Sequence, residues 1–317
     1  MYLMDCIAQA PKRVDLHDAL TGRILHLPGA GTCRDDIVNT PVRYVMDDAI
    51  TALCADMVRN RQDFLSGALD ILRAPFPEFW VEWNETVRAR LLADQPSTSL
   101  TPACSRAGIL VKMDASERSG SLRVFWSKDG QSSDINPAIL EFDLDAAQSP
   151  QAGWALKAPN DSLQGLFDTV SVRLDPEWDA YYRTRSSSPV HLRNLLAEAI
   201  GPAAFDFPFM LAFVLLIMAQ VREIPRTDLS ALNRRRIQSG RPELLEHVAL
   251  THTMFAPATE CSPGASIFDR AGPRLHLVRG HLVRRGDKVF WRTSHFRGRV
   301  SGPPLQKTIR LVLPNAA

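Results

Sequence analysis

The chain has 317 residues, 45% hydrophobic and 23% charged, a composition that excludes a disordered or low-complexity chain and allows a sizeable buried core. Its five cysteines (Cys6, Cys33, Cys54, Cys104 and Cys261) are odd in number, widely spaced and without a CxxC pair, which argues against a disulfide framework and a Cys-type zinc site and points to a reducing compartment. Net charge is only +2, yet from Arg274 to the end ten Lys and Arg stand against Asp287 alone, a local +9 that leaves −7 for the preceding residues.

The opening residues place Asp5 where a signal peptide would carry a cation, and no long apolar run follows, so a cytoplasmic protein is expected. The first 45 residues have little periodicity; Leu25 and Leu27 suggest a short strand, and Pro28 to Gly31 a turn. Gly29 to Thr32 is not a phosphate loop, because no Gly-Lys-Ser/Thr follows. Asp47 and Asp48 open a helix whose apolar face runs from Ile50 to Leu72, with acids at its start suiting the helix dipole. Pro75 and Pro77 end it. Phe79, Val81 and Trp83 then alternate with Trp80 and Glu82, as in a strand entering a sheet. Glu82 and Glu85 form a candidate carboxylate pair, but nothing around them supports acid–base chemistry, and ion pairing or solvation is the expected use. Asp94 to Ser105, rich in Ser, Thr and Pro, reads as a loop or linker.

Gly108–Met113, Ser121–Trp126 and Pro137–Leu144 make an antiparallel meander, extended by Trp154–Ala158 and Thr169–Leu174. Asp175-Pro176 starts a helix through Trp178, Tyr181 and Tyr182. A helical middle follows a loop at Arg183–Pro189. Val190–Ile200 is stopped by Gly201-Pro202, and Phe209–Arg222 is apolar nearly all round, hence central. The run Phe209–Ala219 is about half the ~20 residues of a membrane span, so no membrane association is expected. Asp228 or Ser230 caps a helix over Leu232–Ile237 that carries Arg234, Arg235 and Arg236, and Gly240 is its C-cap. His247–Phe255 reads as the first strand of a C-terminal sheet that Thr308–Leu313 closes. The fold class expected is α+β, with a mixed region over 1–185 and a helical segment plus basic hairpin over 186–317, as two domains or one.

The hairpin, Arg274–Arg299, holds three of the eight histidines. Its loop length decides what its residues can do. A three-residue loop, Gly286 to Lys288, sets His281 opposite Thr293 and His295 opposite Arg279, so that two histidines and two arginines converge on one face. A two-residue loop, Gly286-Asp287, sets His281 opposite Arg292 and sends the histidines to opposite faces. The converged patch has enzyme-like chemistry, with His281 and His295 as base and acid and with Arg279 and Arg297 on a phosphate. Trp291 or Phe296 would stack on a base. A metal on His276, His281, His295 and His252 is disfavoured by the neighbouring arginines, and no cofactor is expected.

The series LNRRR…G…PxL (Leu232 to Leu244), a strand like His247–Phe255, and HxVRGHxxR…G…FWRxxHxRG (His276 to Gly298) resembles a C-terminal region of uncharacterised phage and prophage proteins. The resemblance covers residues 229–300 and implies an origin rather than an activity. Three functions follow from the residues. The first is a phage-associated protein binding RNA, DNA or another polyanion through Arg279, Arg292, Arg297, Trp291 and the Arg234–Arg236 cluster. The second is a metal-independent phosphodiesterase or toxin-like ribonuclease using His281 and His295. The third is a structural or assembly protein, a homo-oligomer or the partner of a phage or host protein, without a catalytic site.

Overall fold

The chain opens with helix α1 (Leu3–Gln9) and a hairpin in which β1 (Arg13–His17) pairs antiparallel with β2 (Ile24–Pro28). A 3-10 turn (Ala30–Cys33) leads into α2 (Arg34–Asn39) and β3 (Val42–Met46), whose residues are all buried. Asp47 accepts a hydrogen bond from the Ile50 amide at 2.8 Å and caps α3 (Asp48–Asn60). The apolar stripe expected to run unbroken to Leu72 turns instead at Arg61, and α4 (Gln62–Gly67) follows. The turn keeps Leu65 and Leu72 in the core that α3 enters. β4 (Glu78–Asn84) runs directly into α5 (Glu85–Leu92). Then come β5 (Arg106–Met113), β6 (Ser119–Ser127), β7 (Asp134–Asp143), β8 (Trp154–Ala155), α6 (Gln164–Phe167) and β9 (Val170–Leu174). Asp175 caps α7 (Pro176–Arg185), and Ser188 caps α8 (Pro189–Ala204). They are followed by α9 (Asp206–Met218), β10 (Val221–Glu223), α10 (Ser230–Gln238) and β11 (Val248–Leu250).

The computed structural model describes residues 1–250 except 19–21, 70–71, 75, 93–103, 146–153, 156–162, 219–220 and 224–228. Beyond residue 250 it describes the backbone of β12 (His276–Val278), β13 (His281–Arg285), β14 (Lys288–Arg292), β15 (His295–Arg297) and β16 (Ile309–Leu311). The loop expected at Asp94–Ser105 lies, up to residue 103, outside the described residues.

The protein is α+β, organised on one mixed sheet in the order β11-β3-β4-β5-β6-β7-β9-β8. β11, β3 and β4 are parallel, and the rest are antiparallel. The parallel step from β3 to β4 needs a crossover, which α3 and α4 supply, whereas the meander strands return through short turns. β4 is central, and its five middle residues are buried. Opposite Glu82 on β5 stands Gly108, where a Cβ would lie 2.5 Å from the Trp80 ring, so only glycine lets the indole lie across the strand.

One face of the sheet carries the larger core. Phe213 of α9 packs on Tyr44 with ring centroids 5.2 Å apart, Phe209 on Trp83 at 4.7 Å, and Phe207 on Phe142 at 5.5 Å. The stretch Pro189–Met218 is long and apolar enough to cross a membrane, but 81% of its most apolar window is buried inside the fold, the placement of a core element. On the other face, Leu3, Met4 and Ile7 of α1 and Ile37 of α2 cover Val45, Trp80, Leu110 and Phe125.

Further expectations change, and the helix expected to stop at Gly201-Pro202 runs on to Ala204. The helix placed over Phe209–Arg222 starts earlier and ends at Met218, and Val221–Glu223 is a strand paired antiparallel with β16. Leu229 rather than Asp228 or Ser230 stands at the start of α10, with no side-chain cap. β11 does not begin a separate sheet but adds, parallel, to the edge beside β3. Since α8 and α9 also share the core of the first half, a boundary at residue 185 runs through common packing.

Candidate functional site

The sequence points to the basic C-terminal segment. The β13–β14 register pairs His281 with Arg292 and Arg285 with Lys288, leaving two residues between the arms. β12 and β15 continue the same register, with Val278 opposite His295 and His276 opposite Arg297. This is the two-residue pairing, which Gly286 at the first loop position suits. The pairing that sets His295 opposite Arg279, and so gathers both histidines and both arginines, is not the one found. Residues 279, 286, 287, 293 and 294 lie outside the described residues, as do the side chains of Trp291, Arg292, Arg297, His281 and His295.

The Arg234–Arg236 cluster sits on α10. Arg234 and Arg235 are exposed, whereas Arg236 is partly buried and its Nε donates to the Pro242 carbonyl at 2.8 Å. Arg236 therefore fixes the turn after the helix. Asn233 holds the same segment by donating to the Leu244 carbonyl at 3.1 Å and accepting from the Leu244 amide at 2.9 Å. Arg234, Arg235 and the exposed Arg241 enter no ion pair among the described residues.

Sequence reasoning missed a second site. It is built where β4 runs into α5. The Glu85 carboxylate accepts from the Trp83 indole at 2.6 Å and from Arg88 Nη2 at 3.0 Å, while Arg88 Nη1 binds Asp206, the first residue of α9. All three are buried, and the Arg88 guanidinium lies 4.9 Å from the Trp83 ring centroid and 5.1 Å from that of Phe209. Burial works against the charge of Arg88, and Asp206 and Glu85 more than restore it, so its pKa stays raised. Burial pushes the Asp206 carboxyl up to about 6, opposed by Arg88 and helped by Glu85. Two carboxylates share one guanidinium, so the network retains excess negative charge.

Arg88, Glu85 and Asp206 floor a cleft of 470 Å³. Its roof is the β1–β2 hairpin, clamped onto α7. Arg13 makes a two-pronged pair with Glu177 at 2.6 and 3.0 Å, the Trp178 indole donates to the Pro28 carbonyl at 3.1 Å, and Arg185 binds Asp18. One wall is β7, tied to α8 where Asn136 donates to the Ala199 carbonyl at 3.2 Å. Cys104 also lines the cleft, but burial, Glu85 and Asp206 push its thiol up to about 12, so it stays protonated and is no resting nucleophile.

The comparisons with known proteins give nothing to set beside this geometry, for no family model, curated protein or solved structure matches the chain.

Proposed function

We propose that the protein binds a polyanion, RNA or DNA foremost, through its basic C-terminal region, and that it is phage- or prophage-encoded and works in the host cytoplasm. The observation that carries the reading is the segregation of charge, ten cations against one acid from Arg274 onward. α10 and the turn after it support it, because Arg234, Arg235 and Arg241 are exposed with no acid paired to them among the described residues. The phage origin rests on the resemblance of residues 229–300. The two-residue pairing favours a binding ladder over a histidine acid–base pair, because the hydrolase reading needs the other pairing.

Fluorescence anisotropy of labelled RNA and DNA oligonucleotides across a salt series tests the reading. Binding is expected to weaken steeply with salt, and Arg279→Ala with Arg297→Ala is expected to lower the salt slope by about 2. Unchanged binding in that double variant overturns the reading. A stable oligomer indifferent to nucleic acid would instead favour the structural or assembly role.

A further inference from the structure

The cleft above Arg88 holds charge that the fold does not use. Its 470 Å³ falls within the ~300–1,000 Å³ of small-ligand sites. Five acidic residues line it, Asp15, Glu85, Asp134, Glu198 and Asp206, against one basic residue, Arg88. Asp15 contacts His26 at 2.6 Å, and Glu85 and Asp206 hold Arg88. Asp134 and Glu198 have no hydrogen-bond or ion-pair partner among the described residues. Ser133 Oγ, also on the lining, is buried without a partner there.

The rest of the lining is mostly apolar and includes Trp126 and Trp178. The Trp178 indole nitrogen is committed to Pro28, which leaves its ring as contact surface. Tyr182 stands near Glu198, whose charge joins burial and Tyr181 in raising the phenol pKa.

An anion entering here meets a surplus of acidic residues, and the charge of Arg88 is already paired with Glu85 and Asp206. A neutral apolar ligand strips water from Asp134 and returns nothing. A bare metal ion needs gathered donors, and no such group of three occurs among the described residues. We infer that the cleft binds a compact organic cation, an ammonium or guanidinium on an aromatic or aliphatic body. Its charge is met by Asp134 and Glu198, and its body lies against Trp126 and Trp178. The inference is independent of polyanion binding by the C-terminal region.

Isothermal titration calorimetry on the full chain tests it with benzylamine, benzyltrimethylammonium, benzyl alcohol and benzoate, probes that share a ring and differ in charge. The two cations are expected to bind, the alcohol to bind at least about tenfold more weakly than benzylamine, and benzoate not to bind. Asp134→Asn with Glu198→Gln is expected to weaken benzylamine binding at least about tenfold. Its Tm should stay unchanged, since neither carboxylate has a partner to lose. The inference is overturned if benzyl alcohol matches benzylamine, if benzoate binds, if the double variant keeps wild-type affinity, or if no probe binds at millimolar concentration.

Discussion

Glu82 and Glu85 lie three residues apart where one central strand runs into a helix, and both are buried, at 0% and 3% exposure. They do opposite work. Glu82 faces α1, and its two oxygens take the Leu3 amide at 3.2 Å, the Met4 amide at 3.0 Å, the Trp80 indole at 3.2 Å and Arg106 at 2.6 and 3.0 Å. The two amides are the unpaired donors at the start of a helix, and the carboxylate caps them while Arg106 balances its charge. Every donor around Glu82 is used, and its charge also reaches the buried Asp5 carboxyl, where it adds to burial in raising the pKa. Glu85 faces the other way, shares Arg88 with Asp206 beneath an open cleft, and leaves negative charge unbalanced. A buried carboxylate with all donors supplied is a strut, whereas one in an unbalanced group beside a cavity is where ligand chemistry is to be sought.

Removing the strut should cost most. Glu82→Ala strands three buried donors and the partly buried Arg106 at once, and chemical denaturation should show a loss of roughly 3–5 kcal/mol. A loss under about 1 kcal/mol would show that water replaces the carboxylate and would erase the contrast with Glu85. Arg88→Met leaves Glu85 and Asp206 buried without their cation, and roughly 3 kcal/mol is expected at neutral pH.

The cost of the Arg88 change should also depend on pH. Burial raises the Asp206 pKa from its usual 3.8 to about 6, so the folded protein holds this proton more tightly than the unfolded chain. The stability that the proton contributes is complete below pH 3.8 and is lost as pH rises through about 6. Asp206→Asn removes the titration. Denaturation midpoints over that window should therefore fall more steeply with pH in the wild type than in the variant, and parallel slopes would refute the raised pKa.

Much of the strut's setting was legible, and the cleft was not. The alternation of Phe79, Val81 and Trp83 fixes β4, Asp47 and Asp175 are local caps, and α9 announces itself by being apolar on every side. These signals sit within one element. α1 has only seven residues, too few for periodicity to show, and it is held by Glu82 from 79 residues away. β11 is three residues long, and its partner β3 lies some two hundred residues earlier, so its sheet was assigned by proximity in sequence. Arg88 and Asp206 are 118 residues apart, and no local pattern joins them. The legible hints were the Glu85–Arg88 spacing on α5 and a lone Asp opening an apolar helix. The hairpin register needed the strand pairing itself, because the sequence at Gly286-Asp287 fits either loop.

Local features should give smaller effects than either network. Asp47→Ala removes the cap of α3, a bond to the Ile50 amide at the helix start, and about 1 kcal/mol is expected from thermal denaturation.

The smallest effect is expected where the same charges meet in water. Arg173 and Glu141 pair across β7 and β9 at 2.5 Å, closer than Arg106 to Glu82, but their side chains are 46% and 43% exposed. Distance alone would rank this pair with the strut. Burial ranks it far below, because water screens the attraction and hydrates either partner when the other is lost. A double-mutant cycle with Arg173→Ala and Glu141→Ala should give a coupling of about 0.5 kcal/mol. A coupling near that of a buried pair would mean that geometry, not desolvation, separates the carboxylates of this sheet, and the distinction drawn between Glu82 and Glu85 would then have to rest on the cleft alone.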